Sequence, residues 1–494
     1  MKIYSLRRTF IVLQILVFAL ALFYEHLFAS THDYTIIFLY SLWNAISYLW
    51  LFIVELKYAP DFHPYQILAL ITVLFVGING VSLYLRLIDG ENLYFGAQLV
   101  NDSLYLGIIY LSLQHIILFA IFFILESRHK EDRRKNLKIA DRIKSSNVDY
   151  FSWAVYFYIF VWLLRLIGLA IPLASISSVL VGLTVNGYII ALLLLTFAMI
   201  QGSFSNRARV WHWIIVTIEI AIVLNHGMKE EIIRPLVPYC IYIIISYKAG
   251  YTKLHSRTIF SMALMSAFVV FFVFPYVSIF RSISIRSGRL WSQISTTEAF
   301  TEYGKYMRNE GLYAKDDEDR GADYLISRAG SIGCNAFSID YAKRYGKNPE
   351  FFSHCCIALI PRAIWPNKPQ VVIGGMVDSL VKGESNWLMA QRSDSYGNSL
   401  SLGYIGSCYF CLGFWGALIL IIVQSYFIWY IWDFMKRTMF YNLVALWMFT
   451  GLIFILLKDF ESFADCGLNF VAFNLIYLFI CKYIYRGPSS LAKQ

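Results

Sequence analysis

Residues 104–125 read LYLGIIYLSLQHIILFAIFFIL, an apolar run that contains no Asp, Glu, Lys or Arg. A helix of this length crosses the hydrocarbon core of a bilayer, which requires about 20 consecutive apolar residues. Across the whole chain 15% of the residues are charged and 58% are hydrophobic, whereas a soluble domain averages about 25% charged residues. The sequence therefore predicts an all-α polytopic membrane protein.

Comparable apolar runs recur along the chain, and they predict about 12 transmembrane helices. Helices 1–9 are predicted within residues 1–280, and helices 10–12 with a cytoplasmic tail within residues 403–494. Residues 281–402 are polar and are predicted to form one large extracytoplasmic loop. The predicted spans are residues 9–29, 34–54, 65–87, 104–125, 150–173, 180–201, 211–225, 236–246, 258–280, 404–432, 440–457 and 468–483, with a short lead-in helix expected before Gly413.

The short predicted loops differ in charge between the two sides of the membrane. Residues 128–144, between the fourth and fifth spans, are rich in Lys and Arg, and the other loops on that side are also basic. Short basic loops stay in the cytoplasm, so both termini are predicted to be cytoplasmic. The long loop is then extracytoplasmic, because long loops cross the membrane regardless of their charge.

Charge and motif content exclude several function classes. The formal net charge of +10 reflects loop topology in a membrane protein, so no nucleic-acid partner is predicted. The sequence contains neither G-x-x-x-x-G-K-[ST] nor G-x-G-x-x-G, which argues against an ATP-driven pump and against chemistry on nucleotide sugars. No cysteine or histidine array with metal-ligand spacing occurs, so no metal or cofactor is predicted.

Four cysteines lie in or beside the polar segment. Cys408 and Cys411 are three residues apart on a predicted helix, and Cys355 and Cys356 are adjacent. We interpret them as packing residues, with a disulfide expected only if the loop faces an oxidising space. His354 is interpreted as a hydrogen-bonded packing residue.

The stretch with the most unusual composition is residues 360–369, IPRAIWPNKP. Its three prolines forbid a regular helix or a central strand. They hold Arg362, Trp365 and Lys368 on a stiff, extended backbone. One interpretation is a proline-rich turn that caps the helix bundle, and the other is one wall of a binding site.

Further cations surround this stretch in the sequence. Arg281 and Arg286 follow an apolar span directly, where they either snorkel to lipid phosphates or bind an anionic ligand. Residues 322–341 are predicted to form a helix that carries Arg328. This arginine either contacts phosphate or forms an ion pair with Asp323 or Asp340.

A second polar segment, residues 227–235, reads GMKEEIIRP and lies between two short predicted spans. Ionisable groups at membrane depth are expected to be functional, although a hairpin tip with self-paired charges is the alternative. Within the spans themselves, Arg165 and Glu219 are predicted to pair with each other. The charged residues of the polar segment are Lys229, Glu230, Glu231 and Arg234.

Together these features resemble the Wzy-type O-antigen and exopolysaccharide repeat-unit polymerases. The resemblance rests on the K-E-E-x-x-R-P turn, the arginines after a mid-chain span, the Arg-containing helix, and Gly413 and Gly416 at the start of a span. P-R-x-x-W-P-x-K-P is its most specific part. The resemblance covers roughly residues 200–480, and the first 200 residues match only as generic spans.

The resemblance implies a GT-C-like, metal-independent glycosyltransferase of the bacterial inner membrane. Such a polymerase transfers a growing glycan from undecaprenyl diphosphate to a new lipid-linked repeat unit at the periplasmic face. It implies a chain-length regulator as a partner and contact with membrane lipid. The candidate catalytic residues are then Glu231 as first and Glu230 as second choice of base, with Arg328 and Arg362. The candidate substrate-binding residues are Lys229, Arg234, Arg281, Arg286, Trp365, Lys368 and Asp394, of which Asp394 is also a third candidate base.

Three other readings remain at this point. An O-antigen ligase would use the same donor with a different acceptor. A transporter or flippase of lipid-linked glycans is expected to show internal repeats, and the sequence shows none. A membrane scaffold or receptor would not require the intramembrane charges.

Overall fold

The structure is a computed structural model, and it describes most of the apolar chain and parts of the polar segment. Its described residues are 2–28, 34–59, 61–90, 92, 94–95, 98–128, 138–170, 187–202, 205–224, 234–250, 273–287, 294–308, 332–360, 365, 367, 376–377, 379–380, 383, 388, 402–440, 442–457 and 470–479.

The described chain is helical apart from a two-residue antiparallel strand pair, Tyr94–Phe95 with Gln98–Leu99. The helix Pro64–Ile88 contains a π-helical turn, Val73–Ile78. The helices are α1 (Lys2–Phe28), α2 (Thr35–Tyr58), α3 (Pro64–Ile88), α4 (Leu104–Arg128), α5 (Ile139–Ser145), α6 (Tyr150–Ala170), α7 (Gly187–Gln201), α8 (Ser205–Leu224), α9 (Val237–Lys248), α10 (Phe274–Ser287), α11 (Thr296–Met307), α12 (Ile332–Tyr345), α13 (Pro349–Leu359), α14 (Tyr404–Thr438), α15 (Leu443–Leu457) and α16 (Phe470–Phe479).

Among the described residues, six helices are long and apolar enough to cross a membrane. They belong to α1, α2, α3, α4, α6 and α14, and two shorter apolar helices, Gly187–Gln201 and Ala445–Leu456, accompany them. The predicted all-helical architecture with several membrane-spanning candidates is therefore confirmed. Each predicted span overlaps a described helix, and the count of 12 stays a prediction.

Helices α1 to α4 run alternately between two ends of the bundle. At one end, which we call the Arg7 end, Arg7 of α1 contacts Glu55 of α2 and Glu126 of α4. Lys248, the last residue of α9, donates hydrogen bonds there to the carbonyl oxygens of Leu56 and Ala59, at 2.7 and 2.9 Å. The opposite end of α4 carries Gly107, and we call it the Gly107 end. At 1.5 Å per residue, Gly107 and Glu126 are about 28 Å apart along the helix, which is close to the hydrocarbon thickness of a bilayer.

Small residues let helices approach closely inside the bundle. A Cβ atom on Gly77 would lie 2.7 Å from the Cβ atom of Ala45, so α2 and α3 cross where neither carries a large side chain. Small residues at helix crossings are typical of membrane bundles, because dispersion contacts there replace the missing hydrophobic driving force.

Helix α12 belongs to the segment predicted as a loop, yet it packs between α4 and α14. Ile332, Ala336 and Phe337 are fully buried. A Cβ atom on Gly107 would lie 2.6 Å from the carbonyl oxygen of Ile332, so the helices touch along their backbones. The backbone N–H of Gly406 donates to the Asn335 side chain at 3.0 Å, which fixes α12 against α14.

Helices α10 and α11 form a smaller apolar cluster of their own. Tyr276, Val277 and Phe280 of α10 pack against Ala299 and Tyr303 of α11. A Ser295 side chain caps α11 by accepting a hydrogen bond from the N–H of Glu298, at 3.0 Å. The cluster is separate from the main core of the described bundle.

Helix α14 bends at Gly413, whose φ and ψ are 73° and −172°. This confirms the expected lead-in helix and divides α14 into a short half, 404–412, and a long half, 414–438. Backbone angles in this region are essentially restricted to glycine.

We expect Gly413→Ala to lower the free energy of unfolding by about 1–3 kcal/mol, because alanine is strained at this φ and ψ. Thermal unfolding in detergent, followed by the remaining monodisperse fraction, measures the change. Gly304→Ala is the matched control, since Gly304 lies in α11 with open space around its Cα. Equal melting temperatures for the two variants would show that the bend does not require glycine.

Candidate functional site

Most of the predicted site residues lie outside the described residues. They are Lys229, Glu230, Glu231, Arg328, Arg362, Lys368 and Asp394. Their predicted roles therefore stay predictions, and the described residues that flank them provide the geometry.

Four predicted site positions are described at least in part. Arg281 and Arg286 lie in α10, which continues to Ser287. Trp365 is 38% exposed. Arg234 begins a 3₁₀ turn before α9, and its guanidinium lies over the ring of Phe454 at 5.4 Å from the centroid.

The two helices that flank Arg328 and Arg362 in the sequence are α12 and α13. Both pack against the lead-in half of α14, which serves as their common scaffold. Along α12, Asn335 contacts Gly406, and the Tyr341 ring lies 5.6 Å from the Phe410 ring. Both residue numbers rise together, so α12 runs in the same direction as the lead-in half.

Helix α13 packs against the same scaffold. The backbone N–H of Asn348, just before α13, donates to the Phe410 carbonyl oxygen at 2.9 Å, and the Phe351 ring lies 5.5 Å from the Phe410 ring. Phe410 thus contacts the start of α13 as well as Tyr341 of α12.

It follows that the start of α12 lies at the Gly403 end of the lead-in half. Because Gly107 contacts Ile332, this is the Gly107 end of the bundle. In the sequence Ile332 follows Arg328 by four residues, and Ile360, the residue directly after α13, precedes Arg362 by two.

Helix α9 brings a second flanking segment away from the Arg7 end. Its last residue, Lys248, lies at the Arg7 end, and its start at Val237 is the other end of the helix, about 17 Å away. Arg234, which precedes α9, follows Glu231 by three residues in the sequence.

Asp340 was one of the two predicted partners of Arg328. In the structure its carboxylate pairs with Arg344, one turn along α12, at 2.8 Å. The Arg344 side chain is 58% exposed, so this i,i+4 pair contributes little to stability.

The strongest charge cluster of the described chain lies at the Arg7 end and was not predicted as a unit. The Arg7 Nε and Nη2 atoms donate to the two carboxylate oxygens of Glu55 at 2.6 and 2.7 Å, and Nη1 donates to Glu126 at 2.7 Å. The Arg7 guanidinium also lies over the Tyr65 ring, 4.4 Å from its centroid. All four side chains are buried.

His63 completes this cluster as the N-cap of α3. Its Nδ1 atom accepts a hydrogen bond from the backbone N–H of Tyr65 at 3.1 Å, so the hydrogen resides on Nε2 in the neutral ring. Nε2 then donates to Glu126 at 2.5 Å. The tautomer follows from this hydrogen-bond network.

Asp61 extends the polar network towards α5. Its carboxylate accepts hydrogen bonds from the backbone N–H groups of Phe62 and Ile139, both at 2.9 Å. Burial raises the pKa of Asp61, and these two donors oppose the shift. The carboxylate thus ties the start of α5 to the turn between α2 and α3.

The predicted pairing of Arg165 with Glu219 is confirmed. Two guanidinium nitrogens donate to the two carboxylate oxygens at 2.9 and 3.0 Å, and the Tyr158 hydroxyl donates to the same carboxylate at 3.1 Å. The charges of both residues are satisfied inside the bundle, so this pair joins α6 to α8 and is not available to a substrate.

Within the described ranges, no group of three or more His, Cys, Asp or Glu side chains is arranged to hold a metal ion. The Arg7 cluster has the residue types of a functional site, yet its donors and acceptors are matched to one another. Its arrangement joins the ends of four helices.

No protein-family model matches the chain, and no curated protein or solved structure matches it either. The functional interpretation therefore rests on the sequence motifs and on the geometry of the described helices.

We expect Arg7→Ala to lower the free energy of unfolding by about 3–5 kcal/mol, because Glu55 and Glu126 would be left buried without their counter-charge. Heating the detergent-solubilised protein and measuring the folded fraction by size-exclusion chromatography tests this. Arg8→Ala is the matched control, since the neighbouring Arg8 side chain is exposed, and its melting temperature should stay at the wild-type value.

A wild-type melting temperature for Arg7→Ala would show that the cluster does not hold the helix ends together. Replacing both acids as well, in Arg7→Met with Glu55→Gln and Glu126→Gln, should recover part of the lost stability, because no uncompensated charge then remains buried.

Proposed function

We propose that the chain is a metal-independent membrane glycosyltransferase that polymerises lipid-linked oligosaccharide repeat units. The donor is a growing glycan on undecaprenyl diphosphate, and the acceptor is a new lipid-linked repeat unit. The proposal includes about 12 membrane spans with a GT-C-like arrangement, one large periplasmic loop, and both termini in the cytoplasm of a bacterial inner-membrane protein.

The observation that supports the proposal best is the arrangement around the lead-in half of α14. The two helices that flank Arg328 and Arg362, α12 and α13, both pack against it, and Ile332 at the start of α12 lies at the Gly107 end. Arg234, next to the K-E-E turn, precedes the start of α9, which lies away from the Arg7 end. These positions support a site on the side of the bundle away from the Arg7 cluster.

The chemistry requires cations near a departing diphosphate. When the glycan leaves undecaprenyl diphosphate, negative charge accumulates on the phosphate oxygens, and preorganised donors stabilise it. Arginine presents a planar fork that matches these oxygens. In the proposal Arg281, Arg286, Arg328 and Arg362 provide this charge, with Lys368 as a further contact.

The acceptor hydroxyl requires a base as it attacks the anomeric carbon. A carboxylate within hydrogen-bond reach can accept the proton, and Glu231 is the first candidate, ahead of Glu230 and Asp394. Trp365 is exposed and provides an aromatic face on which a sugar can stack. Lys229 and Arg234 contribute positive charge beside the base.

The distance between the two ends of the bundle supports a separation between the structural charge cluster and the proposed glycan site. The Arg7 cluster and the Gly107 end are about 28 Å apart along α4, and the proposal assigns the glycan site to the side of the bundle away from the Arg7 cluster. The matched charges of the Arg7 cluster then hold the bundle while the cations at the other end remain available to an anionic substrate.

Incubation of the purified protein with the lipid-linked repeat unit, without nucleotide or metal, tests the activity directly. Products longer than one repeat unit, released with free undecaprenyl diphosphate, are the expected result. A product that carries glycan on a different acceptor would identify an O-antigen ligase. Movement of the intact substrate across a vesicle membrane without elongation would identify a flippase.

We expect Arg362→Ala, Arg328→Ala and Arg281→Ala each to lower the elongation rate by about 10²–10³-fold, as the loss of one charge-stabilising donor typically does. Gel analysis of glycan chain length in cells, with immunoblotting for protein level, measures the effect. Arg344→Ala is the control, because Arg344 lies on α12 in an exposed pair with Asp340 and should support normal chain lengths.

Wild-type chain lengths in all three variants would contradict the assignment of these arginines. Glu231→Gln should remove elongation without changing substrate binding if Glu231 is the base, whereas weaker binding at an unchanged rate would assign it to substrate contact.

A further inference from the structure

Helix α8 carries an open groove on its exposed face. The opposite face of the helix is buried and includes Ala208, His212 and Glu219, and Glu219 pairs with Arg165 of α6 at 2.9 Å. The groove has a volume of about 550 Å³, which lies within the range of small-ligand sites, about 300–1,000 Å³. The described residues that line it are Arg209, Val210, Trp213, Ile214, Thr217 and Ile218.

These lining residues form two adjacent rows along the helix. One row begins at Arg209 and the other at Val210, and each continues at intervals of four residues. Side chains four residues apart lie above one another on the same face of a helix. The row that begins at Val210 is entirely apolar, and its three side chains are between 37% and 60% exposed. The groove therefore runs along the helix axis, with one apolar wall and one charged end.

The charged end of the groove lies at the Arg7 end of the bundle. Helix α7 ends at Gln201, whose side chain donates to two backbone carbonyl oxygens directly after α5, at 3.0 and 3.2 Å. Helix α5 is in turn tied to the Arg7 end through Asp61. Because α8 starts four residues after Gln201, it starts at this same end, and Arg209 lies in its second turn.

The length of the groove matches one leaflet of a bilayer. Ile218 lies nine residues beyond Arg209, which is about 14 Å along the helix. Half of the hydrocarbon thickness of a bilayer is about 15 Å. Arg209 also precedes the predicted span, residues 211–225, by two positions. The groove thus extends from the predicted membrane interface to the predicted centre of the bilayer.

The order of chemical groups along the groove is that of a phospholipid. The Arg209 side chain is exposed and forms no ion pair within the described residues. One turn deeper, the Trp213 ring packs against the Tyr239 ring of α9, with 5.1 Å between the ring centroids. Tryptophan is enriched at the level of lipid head groups, where its ring has an apolar body and a polar edge. The apolar row then follows towards the bilayer centre.

We propose that this groove binds one molecule of an anionic phospholipid, with the phosphate at Arg209 and an acyl chain along Val210, Ile214 and Ile218. Charge complementarity favours an anionic lipid over a zwitterionic one, because basic pockets among membrane helices bind anionic head groups. The inference does not rest on the proposed glycosyltransferase activity, since it depends only on the groove and its position.

Native mass spectrometry of the full-length protein in detergent, titrated with phosphatidylglycerol or with phosphatidylcholine, measures the affinity for the first bound lipid. Phosphatidylglycerol should bind more tightly to the wild-type protein. Arg209→Gln should weaken its binding about five-fold, because one cation near an anionic lipid surface is removed, and should leave phosphatidylcholine binding unchanged. Equal affinities of the wild-type protein for the two lipids would overturn the proposal.

Arg207→Gln is the matched control. Arg207 is also exposed in the first turns of α8, yet it does not line the groove. This variant removes the same charge and should bind phosphatidylglycerol with wild-type affinity. An equal loss of affinity in the Arg207 and Arg209 variants would show that the lipid is attracted only by the general positive charge of this end, which contradicts a defined site.

A phosphatidylglycerol with a photoreactive acyl chain locates the bound lipid. Peptide mapping after irradiation should place the cross-link within residues 210–218, and Ile214→Trp, which fills the groove, should remove it. Ile218→Trp serves if Ile214→Trp does not elute as a folded protein. Excess inorganic phosphate should not compete, since it lacks an acyl chain. Persistent cross-linking in the folded tryptophan variant, or displacement of the lipid by phosphate, would contradict the proposed binding mode.

Discussion

The bundle depends on one guanidinium that is shared between two buried carboxylates. Arg7 holds Glu55 with two hydrogen bonds and Glu126 with a third, so the ends of α1, α2 and α4 meet at a single point. An unpaired charge in an apolar interior costs several kcal/mol. None of these helix ends can therefore shift along the membrane normal by itself, and the relative heights of the helices follow from this contact.

With one end fixed, the opposite ends of the helices are placed by their lengths. Helix α4 reaches the Gly107 end about 28 Å away, where Ile332 of α12 packs against Gly107. Helix α9 extends about 17 Å from Lys248, which is bound at the Arg7 end. Ile332 of α12 and Val237 of α9 therefore both lie away from the charge cluster.

Features that arise from local composition could be predicted from the sequence. Apolar runs identify the helices, the pair Arg165 and Glu219 follows from two opposite charges within predicted spans, and Gly413 marks the bend of α14. The Arg7 cluster could not be predicted as a unit, because its partners are 48 and 119 residues away in the chain. The feature of the sequence that could have indicated the cluster is the position of the charged residues Arg7 and Glu126 at the ends of predicted spans. This feature resembles the ordinary charge found at membrane interfaces.

The candidate site likewise has features that could be predicted from the sequence and features that could not. Residue type and the resemblance to polymerases led to candidate cations for a diphosphate and candidate carboxylates for a base, and these stay predictions. The packing of α12 and α13 on the lead-in half of α14 was not predictable, since it depends on contacts such as Asn335 with Gly406. The polar composition of residues 281–402 predicted a loop, and α12 is nevertheless buried within the bundle, because it packs between α4 and α14 and buries Ile332, Ala336 and Phe337 fully.

The burial of α12 also constrains the order in which the protein is assembled during synthesis. Helix α4 is inserted early, yet the groove beside Gly107 is filled only when α12 has been translated and has met α14, which emerges later still. Until then lipid or a chaperone must occupy the groove. Ribosome-bound chains that stop before Tyr404 therefore lack the second wall of the α12 binding site, and α12 acquires its final position only near the completion of the chain.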